Sequence, residues 1–330
     1  MKILAFGEVM MRLTPPDYKQ IEQTNTLDMS FNGTGVNILS GLSRFGYETT
    51  LLTALPENHV GSAAAGHIRR LGIDDSNIKF SGHHMGIYFL ELGYGNRPSQ
   101  VTYLERLKSS FGESTFSDDE VKSSINDADI VHICGISLSL GDGARETAIK
   151  TAKIAHEQGK MVCFDFNFRP SLNENRAYEW MRTQYERVLP YCTILFGGKR
   201  DLMGLFDDQE KSLEQLIQKL MNNYNQIKYF SGSNRAINEG TEYLSGFLYT
   251  DNTLYESPEY LITLYDRIGT GDAFAAGVIT GIIEKWSAEK TVDFATSNSV
   301  LAHTTFGDSP VMDKEIVEQF MNGELGNVIR

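Results

Sequence analysis

The chain has 330 residues, 41% of them apolar, enough to bury a large core and somewhat more than one mean-sized domain needs, so one main α/β domain with a small appendage is expected. Its 43 acidic against 30 basic residues give a net charge of −13 with no basic run, which argues against nucleic acid and an anionic membrane as partners and leaves small molecules. No stretch approaches ~18 uninterrupted apolar residues, and Met1 to Phe6 runs straight into Gly7-Glu8 without a cleavable signal pattern, so a cytoplasmic location is expected. Cys134, Cys163 and Cys192 show neither CxxC spacing nor Cys/His clustering, and are expected to be buried small hydrophobes.

In chain order, Lys2 to Gly7 and Thr49 to Leu55 are strand-like and flank a helix over Val36 to Phe45 that closes at Gly46. Val9 to Phe31 and His84 to Ser109 lack helical periodicity, carry Pro15, Pro16 and Pro98, and include hairpin-like alternation in which Gly86 to Leu92 faces Gln100 to Leu104 across the turn residues Gly93 to Pro98. These two segments can pair into one small sheet placed as a lid. The three cysteines then mark strand-like runs, 129–134, 160–165 and 191–196, at equal steps of 29 residues, about one βαβ unit. Arg145 to Gln158 has helical spacing and stops at Gly159, Arg176 to Leu189 reads as helix, and Ser212 to Asn223 leads into the run Gln226 to Gly232. The expected core is therefore a three-layer α/β fold with a mostly parallel central sheet flanked by helices, made from 1–8, 32–83 and 110–330, with 9–31 and 84–109 as a small β-sheet lid.

Three clusters can carry chemistry. The first is Asp266-Arg-Ile-Gly-Thr-Gly-Asp272, a glycine turn between the apolar β-like run Tyr260 to Tyr265, expected as a strand, and a helical pattern starting at Ala273. Gly269 and Gly271 let the backbone approach a ligand, and the orphan amides of a helix start form an anion site. Asp272 is then either a helix cap or a base placed to take a proton from whatever attacks a phosphorus. The second cluster, Phe31-Asn-Gly33-Thr34-Gly-Val-Asn37, opens the first helix and offers backbone donors. In the third, Asp165-Phe-Asn167-Phe-Arg169, strand alternation would put the three polar side chains on one face and Phe164, Phe166 and Phe168 on the other.

With these clusters in this order, the chain resembles the ribokinase-like (PfkB) carbohydrate kinases over essentially its whole length, and among them the 2-keto-3-deoxygluconate kinases, also called 2-dehydro-3-deoxygluconokinases. Gly7-Glu-Val-Met-Met-Arg12-Leu resembles the start of that subfamily, Asn32-Gly33 through Arg44-Phe-Gly46 the N-terminal signature, Asn58-His-Val-Gly61 through Leu71-Gly-Ile the segment after it, and Asp266 to Asp272 the C-terminal signature. The resemblance implies an ATP- and Mg²⁺-dependent kinase that phosphorylates the terminal hydroxyl of 2-keto-3-deoxygluconate, expected as a homo-oligomer. It makes Asp272 the general base, the amides of Gly269, Thr270 and Gly271 the anion hole, and Arg169 a partner of the transferring phosphate or of the substrate's acid end. Gly33, Thr34 and Asn37 would hold the sugar, Tyr88, Tyr103 and Arg106 would reach down from the lid, and Ser231, Gly232, Gly269, Gly271 and Asn298 would meet the nucleotide.

The chain departs from the family pattern in three places. Gly198-Lys-Arg-Asp201 replaces the usual Asn-x-x-Glu, leaving Asp201 as an indirect metal contact; Ser231-Gly232 lacks the second glycine of the nucleotide loop; and Tyr103-Leu-Glu-Arg106 puts Glu105 near the expected carboxylate. The alternatives are a kinase of a neutral sugar such as fructose or a ribosyl compound, and a non-catalytic nucleotide- or sugar-binding regulator. A Rossmann dehydrogenase is disfavoured because neither glycine cluster supplies G-x-G-x-x-G.

Overall fold

The computed structural model describes residues 1–324; the last stretch of the expected core, 325–330, lies outside the described residues. The strands are β1 (Lys2–Phe6), β2 (Met10–Thr14), β3 (Asp28–Asn32), β4 (Glu48–Leu55), β5 (Ile78–Phe80), β6 (Ile87–Glu91), β7 (Gln100–Tyr103), β8 (Ile130–Cys134), β9 (Met161–Asp165), β10 (Ile194–Phe196), β11 (Tyr229–Asn238), β12 (Thr241–Thr250), β13 (Thr253–Glu256) and β14 (Tyr260–Leu261). Among the described residues they form a large sheet ordered β13-β12-β11-β10-β9-β8-β1-β4-β5, with β14 also on β12, and a four-stranded sheet ordered β3-β2-β6-β7.

The strands from β5 to β11 run parallel, and β12 to β14 return antiparallel at one edge. Parallel strands are covered on both faces, and β1 shows how the sequence provides for this: Leu4 and Phe6 join one apolar cluster while Ile3 and Ala5 join the other, all essentially unexposed. The cysteine rhythm falls on this sheet, with Cys134 ending β8, Cys163 in β9, Cys192 just ahead of β10, and all three thiols free and buried. The anticipated helices appear as Thr34–Arg44, Asp142–Glu157, Tyr178–Val188 and Leu213–Asn223; Gly46 and Gly159 follow two of them at φ +89° and +72°, and Ser212 caps the last in a capping box.

Two expectations need correction. The run Tyr260 to Tyr265 is not a buried strand feeding the Asp266 turn: β14 is two residues long, sits antiparallel on β12, and Leu264 and Tyr265 are exposed. Strand alternation also does not carry the Asp165 cluster, because β9 ends at Asp165 and Asn167 turns at φ +41°; Phe164 and Phe166 stay buried against Tyr185 while Phe168 comes round to the cleft.

The small sheet draws β2 and β3 from the first irregular segment and the β6–β7 hairpin from the second, with β2 parallel to β6. It borders a cleft that opens at the ends of β8, β9 and β10. Among the described residues no helix is long and apolar enough to cross a membrane.

Candidate active site

A cleft of about 740 Å³ lies between the two sheets, lined from the core by Gly33, Thr34, Asn37, Asp165, Asn167, Arg169, Asp201, Ser231, Gly232, Gly269, Gly271 and Asp272, and from the small sheet by Tyr88, Tyr103 and Arg106. Parallel strands point their C-terminal ends here, where α/β sheets commonly bind ligands.

At the floor the helix Thr270–Ile283 begins. Gly269 is its N-cap in the left-handed region at φ +80°, and a Cβ there would lie 1.8 Å from the Asp308 carbonyl oxygen, so only glycine fits the turn. No side chain caps this helix: Asp272 occupies its third position, and its Oδ2 instead accepts 2.7 Å from Asn37 Nδ2. The capping role considered for Asp272 is therefore not the one it has. Its carboxyl is buried, which pushes its pKa up to about 8 against the partial relief from Asn37, with the charge of Asp165 adding to the rise. Such a carboxyl is poised to take a proton near neutral pH. The first-turn amides at Thr270, Gly271 and Asp272 have no carbonyl within the helix to bond, so they present donors beside the carboxylate.

Further along, burial and the nearby charge of Asp201 push Asp165 up to about 7, Asn167 Nδ2 donates to Asp165 Oδ2 at 2.8 Å, and burial also raises Asp201. Asp201 Oδ2 accepts from the Gly198 amide at 2.8 Å as part of a capping box. The exposed Arg169 makes no salt bridge among the described residues, so the Asp165–Arg169 ion pair that would have explained this cluster structurally is not formed. At Gly232 a Cβ would come 2.1 Å from the Gly197 carbonyl oxygen, and Ser231 Oγ is spent on the Phe247 carbonyl at 2.6 Å.

Several assigned contacts fall differently. Asn298 does not line the cleft: it is fully buried and its Nδ2 donates to the Ala273 carbonyl at 2.8 Å, so it braces the active helix from behind rather than touching a nucleotide. The Thr270 side chain likewise points away and donates to the Arg267 carbonyl. The Tyr88 hydroxyl donates to Asp308 Oδ2 at 2.5 Å, and both residues line the cleft. Arg106 is buried and donates through Nη2 and Nε to Glu8 Oε2, at 2.5 and 3.2 Å, with its guanidinium 5.0 Å from the Tyr103 ring centroid. Glu105, expected to crowd a substrate, is exposed and accepts from the Lys108 amide in its own loop.

Glu8, Arg12 and Asp308 were given no role from sequence. The first two sit in the Gly7 to Arg12 motif, but neither periodicity nor spacing tells that they turn inward; Asp308 lies in a short turn that resembles any surface loop.

An acceptor hydroxyl lowered onto Asp272 would place the phosphoryl group it attacks against the first-turn amides, the layout of a small-molecule kinase. The chain belongs to the pfkB family of carbohydrate kinases, whose profile matches residues 1–315. It is similar over all of its length, and 99% of the other chain, to a crystal structure from Enterococcus faecalis described as a candidate 2-keto-3-deoxygluconate kinase, with TM-score 0.95 and 46% identity. A 2-dehydro-3-deoxygluconokinase from Thermotoga maritima superposes with TM-score 0.90 at 30% identity, over 98% of this chain and 100% of that one. A 2-dehydro-3-deoxygalactonokinase of Haloferax volcanii is 26% identical over 324 residues, 98% of this chain and 97% of its own. The fold is thus ribokinase-like, and the protein is a carbohydrate kinase.

Proposed function

We propose that the protein transfers the γ-phosphoryl group of ATP to the terminal hydroxyl of a 2-keto-3-deoxy sugar acid, 2-keto-3-deoxygluconate first among them. The observation that carries this is Asp272, a buried carboxyl with its pKa raised to about 8, held by Asn37 beside the free amides of a helix start. The hydroxyl gives its proton to Asp272 as its oxygen bonds the γ-phosphorus; the bond from that phosphorus to the β-bridging oxygen breaks, and ADP leaves with the electron pair. The amides of Gly269, Thr270 and Gly271 stabilise the charge on the moving group, and Arg169 supplies a cation at the cleft mouth. Ser231 and Gly232 border the nucleotide's side of the cleft.

Among the described residues no group of three or more His, Cys, Asp or Glu forms a protein cage for a metal, a donor set that suits Mg²⁺, which is commonly held by one or two carboxylates, waters and substrate phosphates. Asp165, whose proton affinity the charge of Asp201 raises, would hold it on the phosphate side, with Asp201 as an indirect contact because one of its oxygens is already engaged. Bound there, Mg²⁺ neutralises phosphate charge. We take 9–31 and 84–109 as a lid on the core of 1–8, 32–83 and 110–330. A homo-oligomer rests on the exposed Ile21, Leu27 and Met29 beside the β3 edge of the small sheet.

The sugar acid is supported by the similarity to proteins named for such substrates and by Arg169. A second reading, a neutral sugar, is favoured by one observation: Glu8 neutralises Arg106 inside the cleft. A coupled ADP-release assay over 2-keto-3-deoxygluconate, 2-keto-3-deoxygalactonate, 5-keto-2-deoxygluconate, gluconate, fructose and ribose separates the two. The keto-deoxy acids should exceed the neutral sugars in kcat/KM by several orders of magnitude, because buried donors left unpaired penalise the wrong substrate strongly. Fructose or ribose turning over best would replace the sugar-acid reading. Hydrogen exchange should slow in 9–31 and 84–109 when sugar and a non-hydrolysable nucleotide bind together; unchanged exchange at saturation would remove the lid.

A further inference from the structure

The Gly7 to Arg12 motif contains a cation that the reaction as described above does not use. Arg12 leaves β2 of the small sheet and is 1% exposed, yet it does not line the cleft. Each of its three guanidinium nitrogens has a partner. Nε donates to Thr14 Oγ1 at 2.8 Å, Nη2 to Asp266 Oδ2 at 2.6 Å, Nη1 to Asp308 Oδ1, and the group lies 5.0 Å from the Phe306 ring centroid. Tyr88, on β6 of the same sheet, adds its hydroxyl to the second oxygen of Asp308 at 2.5 Å. Two strands of the small sheet therefore grip one loop of the core.

That loop is joined to the chemistry at two points. Asp266 opens the turn leading to Gly269, and its Oδ1 accepts from the Ile268 amide at 3.1 Å while Oδ2 accepts from the Gly307 amide at 3.2 Å, tying the two core loops together. The Asp308 carbonyl packs so closely on Gly269 that no side chain fits between them. From the next residue, Ser309 Oγ donates to Asn37 Oδ1 at 3.4 Å, and Asn37 Nδ2 donates to Asp272 at 2.7 Å. Without Arg12, two buried carboxylates, one of them the cleft-lining Asp308, would face each other beside the anion hole.

We infer that Arg12 is a positioning residue for phosphoryl transfer: seated with the small sheet, it clamps the 266–269 and 307–309 loops and so fixes the anion hole and the Asn37–Asp272 pair. A buried arginine between two carboxylates is poor value as a stability device, since well-packed apolar groups commonly do as well. It is well suited to geometry, because its planar fork bonds both carboxylates at fixed angles, which a lysine cannot reproduce. A displacement of about 1 Å at a phosphoryl-transfer site costs on the order of a hundredfold in rate. The inference rests on the kinase chemistry and not on which sugar is used.

The test uses the full-length enzyme with Arg12→Ala and Arg12→Lys, assayed with whichever sugar the panel selects. Arg12→Ala should lower kcat about a hundredfold while KM for sugar and ATP moves by only a few fold, and guanidinium ion at a non-denaturing concentration should restore at least a tenth of the loss. Arg12→Lys, which keeps the charge and loses the fork, should fold and still lose about tenfold in kcat. Amide exchange in 266–272 and 305–309 should quicken in both variants without any substrate present, a readout that survives even if the panel misidentifies the sugar. If Arg12→Ala does not fold, Arg12→Lys and its exchange pattern decide the matter. Unchanged kcat in Arg12→Lys with unchanged exchange, a loss expressed in KM alone, or guanidinium raising thermal stability without raising kcat would each overturn the inference.

Discussion

The two sheets are held by different physics. The large sheet is specified mainly by apolar residues on both faces, with His132 and the β4 threonines among its few buried polar side chains; the small sheet and the turn after it bury Arg12, Tyr88 and Arg106 and leave Met29 and Tyr103 exposed. β2 shows the contrast, since its alternating pattern spends a buried position on an arginine rather than a leucine. A core of this first kind sets stability, whereas a sheet attached through ion pairs sets whether the site is assembled. Substitutions should therefore separate the two regions.

The largest expected effect is at the junction. Asp272→Asn should lower kcat by about 10²–10⁴, the usual range for a positioned general base, with nucleotide binding kept. Its effect on stability should depend on pH. The folded-state pKa lies above that of a free aspartate, about 8 against 3.8, so the fold holds a proton that the unfolded chain releases, and stability falls as pH rises through that window. Removing the carboxyl abolishes the loss, so the melting temperature of Asp272→Asn relative to wild type should climb from acid pH towards pH about 8 and then level off. For wild type, kcat/KM should rise with pH over the same range as the base ionises. Near-normal turnover in the mutant would leave Asp272 a structural group and dissolve the mechanism.

The counterpart in the core is Leu4→Ala. Leu4 is fully buried in β1, away from the cleft, and its truncation should cost about 2–5 kcal/mol of stability, as other buried leucines do, with kcat per folded molecule unchanged. Chemical denaturation alongside active-site titration would show it. A matching fall in kcat would break the division of labour between the sheets.

The legibility of the sequence follows the same division. The β1, β8 and β9 runs are near-continuous apolar strings of strand length, the pattern of buried parallel strands, and the glycines at 46 and 159 end helices by local backbone preference, so the core was readable from neighbours in the chain. The helix start that carries Gly269 and Asp272 was readable too, as a compact local motif. What escaped were pairings between distant residues: Arg106 with Glu8, 98 positions apart, and Arg12 with Asp266 and Asp308, 254 and 296 positions apart. A side chain's partner across such a separation leaves no trace in local periodicity. Asn298 is a related case, since a buried amide supporting a helix and one facing a nucleotide look alike in sequence.

The smallest expected effect bears on what the small sheet recognises. Arg106 spends two donors on one oxygen of Glu8, so the pair enters the cleft with no net charge, and the remaining guanidinium hydrogens are what a ligand meets. Glu8 Oε1 is buried without a partner, which leaves it able to accept from a sugar hydroxyl. Glu8→Gln keeps an acceptor for Arg106 and removes the opposing charge. If a substrate carboxylate docks on Arg106, the mutant should bind keto-deoxy acids about tenfold more tightly, roughly 1.4 kcal/mol, and gain nothing for fructose or ribose. If Glu8 instead reads a hydroxyl, every sugar carrying that hydroxyl should lose affinity, acid or neutral alike. KM values for two acids and two neutral sugars, measured on both enzymes, decide between these outcomes. Unchanged KM for all four sugars would assign Arg106 to holding the lid in place and leave acid recognition to Arg169.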